Sequence, residues 1–265
     1  MFMPVLRTII VTMSITLLSA GSALAGPPLI TDDAGTVAVG KVEIELNGSY
    51  TKDIEAQHGI TAKSASTAAE MKISRGLYRG SGISMAIPYT ISAREKSDGM
   101  LATSADGFGD LVLEIKCAFA EVAGITLAIK PGLTLPTGKT GLSDEHLQYT
   151  AVLIASKEFV DGTYALHANL GYEYHSYISA AVAGRRNLWS GSVAGEIRLA
   201  KGLTGVMDFG LATNPDEASS APPVFALAGA RYEINDRLDI YAGVKVGLTK
   251  PEDDLSILYG LVAKF

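Results

Sequence analysis

The 265-residue chain carries 28 Asp and Glu against 22 Lys and Arg, a net charge of −6, with no basic run anywhere. That balance excludes nucleic acid as a partner, because phosphate binding needs clustered Lys and Arg. The charged fraction of 19% is below that usual in soluble domains, and Cys117 is the only cysteine, so no intrachain disulfide staples a small secreted fold.

Residues 1–25 read as a cleaved signal peptide. Arg7 supplies the positive region, Thr8 to Ser19 the apolar region, and Ala23-Leu24-Ala25 a small-residue cleavage site before Gly26. The apolar stretch is too short to span a bilayer, and no other stretch reaches the needed length, which excludes a helical inner-membrane protein. Gly26 rather than a cysteine follows the cleavage site, so the chain is not a lipid-anchored lipoprotein.

A leader over 26–36 follows, on the periplasmic side. Pro27 and Pro28 disfavour helix and remove two backbone donors, so the leader does not extend the first strand. Asp32 and Asp33 cannot face lipid, whereas Leu29 and Ile30 gain from cover. A segment folded into the periplasmic mouth, its carboxylates on inward Lys or Arg, satisfies both demands, and a frayed tail is the alternative.

From 37 to 265 the pattern is a succession of alternating strands. The first sets Val42, Ile44 and Leu46 against Lys41, Glu43 and Glu45; a one-residue slip would put those charges on the apolar side. The second sets Ala69, Met71 and Ile73 against Glu70 and Lys72, and the third Ile83, Met85, Ile87, Tyr89 and Ile91 against Ser84, Thr90 and Ser92. The fourth and fifth carry Glu114 with Lys116, and Lys130, on their polar faces. The sixth, from about His146 to Val160, alternates poorly because Val152 and Ile154 point inward. The seventh places His167, Asn169, Glu173 and His175 on one face; the eighth gives Glu196 and Arg198, the ninth Asp208. The tenth carries Arg231 and Glu233, though Phe225 and Leu227 share their side. The eleventh sets Leu238, Ile240, Ala242, Val244 and Val246 against Asp239, Tyr241 and Lys245, and the twelfth has Ile257, Tyr259, Leu261, Ala263 and Phe265 along its apolar face.

Connections alternate short and long. Tight turns at Arg79-Gly80-Ser81-Gly82, Val122-Ala123-Gly124, Asp161-Gly162, Lys201-Gly202 and Asn235-Asp236 face one side. Polar loops over 52–61, 95–106, 137–146, 176–187 and 214–222, with a shorter one over 250–254, face the other. Phe119, Phe159, Tyr164, Tyr232 and Phe265 gather at the turn end, and Tyr50, Tyr149, Tyr172 and Trp189 at the loop end, where amphipathic rings favour a membrane interface. The pattern predicts an all-β, transmembrane antiparallel β-barrel of about twelve strands, with short periplasmic turns and long extracellular loops. A soluble β-sandwich explains the aromatics alone but not the signal peptide and the turn alternation together.

No motif for chemistry survives counting. Gly132 to Thr140 has five residues between its glycines where a phosphate loop needs four. One strand cannot wrap a metal ion with His167, Asn169, Glu173 and His175, so no metal and no cofactor is expected. His146 and His58 lie near the loop rim without a spacing that singles out a nucleophile and base, so no catalytic residue is expected. The acidic clusters Asp144-Glu145, Asp216-Glu217 and Glu252-Asp253-Asp254 read as solvated loop tips, with cation binding beside lipopolysaccharide as the alternative. The residues expected to line the lumen are Glu43, Glu45, Glu70, Lys72, Glu114, Lys116, Lys130, His167, Asn169, Glu173, Glu196, Arg198, Asp208, Arg231, Glu233, Asp239 and Lys245. Such charges need pairing or water, which leaves an ion-paired and a water-filled lumen both open.

Three passages carry a resemblance: Pro27-Pro28-Leu29-Ile30-Thr31-Asp32-Asp33-Ala34-Gly35-Thr36, Gly107-Phe108-Gly109-Asp110-Leu111, and Lys130-Pro131-Gly132-Leu133-Thr134-Leu135-Pro136-Thr137-Gly138. With His167-Ala168-Asn169-Leu170-Gly171-Tyr172 they resemble outer-membrane β-barrels of the phenol meta-degradation (MetA) family, whose members are labelled transporters. The resemblance implies uptake of small aromatic or hydrophobic compounds and brings no ligand residues with it. The expected function is an outer-membrane channel or transporter; a non-transporting structural or surface-interaction barrel and a hydrolase are the alternatives. Expected partners are outer-membrane lipid and lipopolysaccharide, a small solute, and the outer-membrane insertion machinery, which would read Tyr259, Leu261 and Phe265 as its signal.

Overall fold

Alternation of apolar and polar residues along each strand forces a two-faced sheet, and in this chain the sheet closes on itself. The computed structural model describes residues 26–57, 60–97, 100–177 and 184–265; residues 1–25, read above as a signal peptide, lie outside them, as does His58. Thirteen strand segments run in chain order: β1 (Val42–Gln57), β2 (Ile60–Tyr78), β3 (Ser81–Ser97), β4 (Met100–Phe108), β5 (Leu111–Val122), β6 (Ile125–Leu135), β7 (Leu147–Phe159), β8 (Tyr164–Ser176), β9 (Asn187–Ala200), β10 (Leu203–Ala212), β11 (Val224–Asn235), β12 (Leu238–Gly247) and β13 (Leu255–Lys264). All pairings among them are antiparallel between sheet neighbours, and β1 with β13 completes the ring. β3 pairs with β4 along its upper part and with β5 along its lower part, so β4 and β5 are two halves of one stave and the barrel has twelve.

The seam is held by Glu43↔Lys264 through Lys52↔Leu255. Below them Phe265 N donates to Val42 O (2.8 Å) and Val42 N to Phe265 O (3.2 Å). A closed ring leaves no edge with unpaired amides, which hydrocarbon could not satisfy. The apolar faces point outward: Leu46, Ile83, Ile115, Leu153, Leu166, Val193, Met207, Val244 and Ile257 are all exposed, while Glu45, His167, Glu196, Asp208, Arg231 and Asp239 on the opposite face are buried. In a soluble protein this would be inside out; around a bilayer it is the required arrangement. A register slip would carry the inward lysines into lipid at about 2–4 kcal/mol each near mid-membrane.

Two predicted loops are strands instead. Of the two stretches, 52–57 and 60–61 continue β1 and β2 with pairing out to Gln57↔Ile60, and 95–97 and 100–106 belong to β3 and β4, paired out to Ser97↔Met100. Above the lipid both faces are wet, so Ser, Thr, Ala and Lys can pair as strands without the apolar alternation that betrays a membrane strand. As a result β1, β2 and β3 run to 16, 19 and 17 residues and make one side of the barrel much taller than the rest.

The tight turns fall where predicted. At the β5–β6 turn Ala123 and Gly124 both take positive φ (53° and 73°), the geometry that a two-residue hairpin requires. The leader rises from this end. Val39 bridges Gly76 in parallel, and a side chain at Gly76 would sit 2.2 Å from Ala38 O, so glycine is what lets the leader pass the β2 wall.

Candidate functional site

Inside the barrel the leader meets side chains from most staves. Its packing answers the two anomalies in the strand pattern. Inward Ile154, with Val152 beside it, packs on Ala34 and Ala128; inward Phe225 and Leu227 pack with Val206, Leu29 and Leu258. The apolar residues on the polar side of β7 and β11 are therefore the bed of the leader. Ala34 and Thr31 are almost fully buried, whereas Ile30 is 48% exposed.

Polar latches fix the segment at three places. The Asp208 carboxylate on β10 accepts from Ile30 N (2.8 Å) and Thr31 N (2.7 Å) through Oδ2 and from Thr31 Oγ1 (2.6 Å) through Oδ1. Thr31 Oγ1 also lies 2.7 Å from Ser192 Oγ. Asp32 bridges two lysines, Lys116 (2.7 Å) and Lys130 (2.9 Å), and Lys130 also meets Glu114 (3.1 Å), which Lys72 approaches at 3.6 Å. Lys116 Nζ further donates to Asp33 O (3.0 Å). Asn169 faces the Asp32 main chain, accepting from its N (2.7 Å) and donating to its O (2.9 Å) in the amide orientation that matches donors to acceptors. Buried ions stacked in alternating sign remove much of the cost of desolvating each, and losing one partner from such a set typically costs about 3–5 kcal/mol.

At the third latch Ala34 N donates to Ser156 Oγ (2.8 Å), which lies 2.8 Å from His167 Nδ1. With the hydroxyl oxygen accepting from Ala34, its proton points to Nδ1, which leaves the ring proton on Nε2, 4.0 Å from Glu196 Oε1. Glu196 is paired with Arg231 at 3.1 Å. A serine beside a histidine resembles a nucleophile and base, but Ala34 covers this one and occupies its oxygen. The contact holds the leader.

Other expected lumen residues lie elsewhere. Lys245 pairs with Glu252 near the long-loop end, and Lys264 takes Asp239 at 2.6 Å. Arg198 and Glu233 are exposed at the rim of the tight turns, below the packed interior. The row on β8 is divided: His167 and Asn169 face the leader, while Glu173 and His175 belong to a rim cluster. There His175 Nδ1 lies 3.0 Å from His146 Nε2 and 3.2 Å from the Tyr177 hydroxyl. Among the described residues no group of three His, Cys, Asp or Glu side chains is shaped for a metal ion.

The motifs Gly107–Leu111 and Lys130–Gly138 come together at the same rim. Asp110 Oδ1 and Oδ2 accept from Gly138 N (2.8 Å) and Asp144 N (2.9 Å), and Lys139 N donates to Phe108 O (2.8 Å). Burial would raise the Asp110 carboxyl, but hydrogen bonds from the Ser143 hydroxyl and the Gly138, Asp144 and Thr137 main chain outweigh it and hold the group below the usual carboxylate range. Ser156 and Tyr241 were not singled out by sequence reasoning as site residues; their inward parity was the available signal.

Between the leader and the β1–β3 and β5–β6 walls lies a cavity of about 490 Å³. Glu43, Glu45, Asn47, Glu70, Lys72 and Tyr241 line it from the β1, β2 and β12 walls, with Lys116 and Lys130 from β5 and β6.

Solved structures share this architecture. The COG4313 outer membrane channel from Pseudomonas putida F1 superposes with a TM-score of 0.73 at 14% identity, covering 88% of this chain and 98% of that one. The NanC porin gives 0.57 at 12% identity, covering 84% and 100%. The KdgM porin, solved in complex with disordered oligogalacturonate, gives 0.57 at 9%, covering 84% and 99%. At these identities the likeness is one of fold, that of the β-barrels of the bacterial outer membrane. No curated protein matches the sequence. Residues 32–265, from Asp32 of the leader to the final Phe265, match the family described as "Putative MetA-pathway of phenol degradation", and the chain belongs to that family.

Proposed function

We propose that the protein is an outer-membrane channel for small solutes whose lumen is narrowed by its own leader. The observation that carries this reading is a closed twelve-stave barrel, apolar outside and charged inside, with residues 27–35 held across the lumen by Asp208, Lys116, Lys130 and Ser156. A purely structural barrel has no need of a charged interior, which apolar packing would fill at lower cost. The leader is held by polar latches and small apolar contacts rather than by strand pairing in the barrel wall, so it can leave without opening the wall. The family description and the channels and porins of like fold support uptake across the outer membrane, with phenolic compounds as the solutes that the family description suggests.

The test is conductance in planar bilayers. Deleting residues 27–35 is expected to raise single-channel conductance several-fold while the barrel keeps its heat-modifiable gel migration. Equal and negligible conductance of the full chain and a correctly inserted deletion variant would leave a structural barrel as the better reading.

A further inference from the structure

The cavity beside the leader is electrically lopsided, and its geometry shows why. Six carboxylates line it (Asp32, Asp33, Glu43, Glu45, Glu70 and Glu114) against three lysines (Lys72, Lys116 and Lys130). All three lysines are already paired: Lys116 and Lys130 with Asp32, Lys130 and Lys72 with Glu114. The lysines that register would place across from the β1 glutamates are drawn away as well. Lys72 is the β2 partner of Glu45, yet its Nζ turns to Glu114 at 3.6 Å. Lys264 is the β13 partner of Glu43, yet its Nζ sits 2.6 Å from Asp239. Among the described residues Glu43, Glu45 and Glu70 form no ion pair.

What supports these carboxylates is neutral. Tyr241 OH donates to Asn47 Oδ1 (2.6 Å), which turns the Asn47 amide so that its Nδ2 donates to Glu70 Oε1 (3.0 Å). Glu45 is more than nine-tenths buried, lines the open volume and has the Asn47 amide as its hydrogen-bond partner, and its cross-strand neighbour Lys72 forms its ion pair with Glu114 instead. A wall held in place by neutral donors and lining an open volume leaves its carboxylates without a salt-bridge partner among the described residues. Low-dielectric walls around a narrow lumen focus such a field on the permeating species.

We propose that Glu43, Glu45 and Glu70 form a cation-binding selectivity wall, so that the channel passes small cations and solutes bearing an ammonium group in preference to anions. This rests on the channel reading and narrows its solute. Neutral phenols are indifferent to the wall, and carboxylate-bearing aromatics are opposed by it. An acidic oligosaccharide such as the oligogalacturonate in the KdgM porin structure is disfavoured for the same reason.

The experiment compares the full chain with the triple variant Glu43→Gln, Glu45→Gln, Glu70→Gln, isosteric changes that keep hydrogen bonding. Reversal potentials under a KCl gradient are expected to give a K⁺ over Cl⁻ permeability ratio above about 3 for the full chain, falling towards about 1 in the variant. Anion preference in the full chain, or an unchanged ratio in the variant, overturns the wall. If neither protein conducts, the channel reading fails separately, and titration of detergent-solubilised protein with spermidine still decides the site. Binding weakened at least about tenfold in the variant supports a cation site, and equal binding overturns it.

Discussion

At the residue scale, one carboxylate has an unusual share of the work. Asp208 receives two main-chain amides and a hydroxyl from consecutive leader residues, and each hydrogen bond to a charged acceptor contributes about 1.5–3 kcal/mol. Asp208→Ala leaves Ile30 N and Thr31 N without that acceptor, so the leader is expected to detach in a large fraction of molecules. Limited proteolysis in detergent would read this as cleavage within 27–36 at least about tenfold faster than in the unaltered barrel, with the strands still protected. Equal cleavage rates would mean that the Asp32 and Ser156 latches, with the packing of Leu29 and Ala34, hold the leader without Asp208. The inward parity of Asp208 was legible from alternation along β10. That its partner would be Thr31, 177 positions earlier, was not, because alternation fixes which face a residue takes and says nothing about what crosses the lumen to meet it.

At the scale of elements, the poor alternation of β7 and β11 was itself the signal. Val152, Ile154, Phe225 and Leu227 broke the pattern, and they broke it where the leader rests. Sequence showed the anomaly; only three dimensions supplied its partner. The upper parts of β1 to β4 were illegible for a different reason, since a strand wet on both faces has no apolar period to detect. The last strand is where an assembly prediction belongs. Phe265 exchanges both main-chain hydrogen bonds with Val42 at the seam and projects an exposed ring at the tight-turn end of the barrel. Deleting Phe265 removes both seam bonds and the terminal aromatic, so membrane-fraction yield is expected to fall at least about threefold against an equal truncation in the loop over 213–223. Unchanged yield would remove Phe265 from the assembly signal and leave Tyr259 and Leu261 to carry it.

At the scale of the whole molecule, the barrel is uneven in height. β2 alone spans 19 residues, about 60 Å of extended chain at ~3.3 Å per residue, whereas an outer-membrane barrel needs an apolar band only about 25 Å tall. Tilt shortens that projection but does not erase it. The wall of β1 to β4 therefore rises well beyond the lipid surface, while the opposite staves of 10 to 14 residues end near it. A bacterium carrying this barrel would show one polar fin among its surface sugars, and Ser64 sits exposed on it. A single cysteine placed there, Ser64→Cys, is expected to react on intact cells with a maleimide too polar to cross the membrane. Cys117, in the lower half of its stave and on the lipid-facing side, is expected to stay silent under the same reagent. Labelling only after cell breakage would turn the barrel the other way up, with its fin in the periplasm and its leader opening to the outside world.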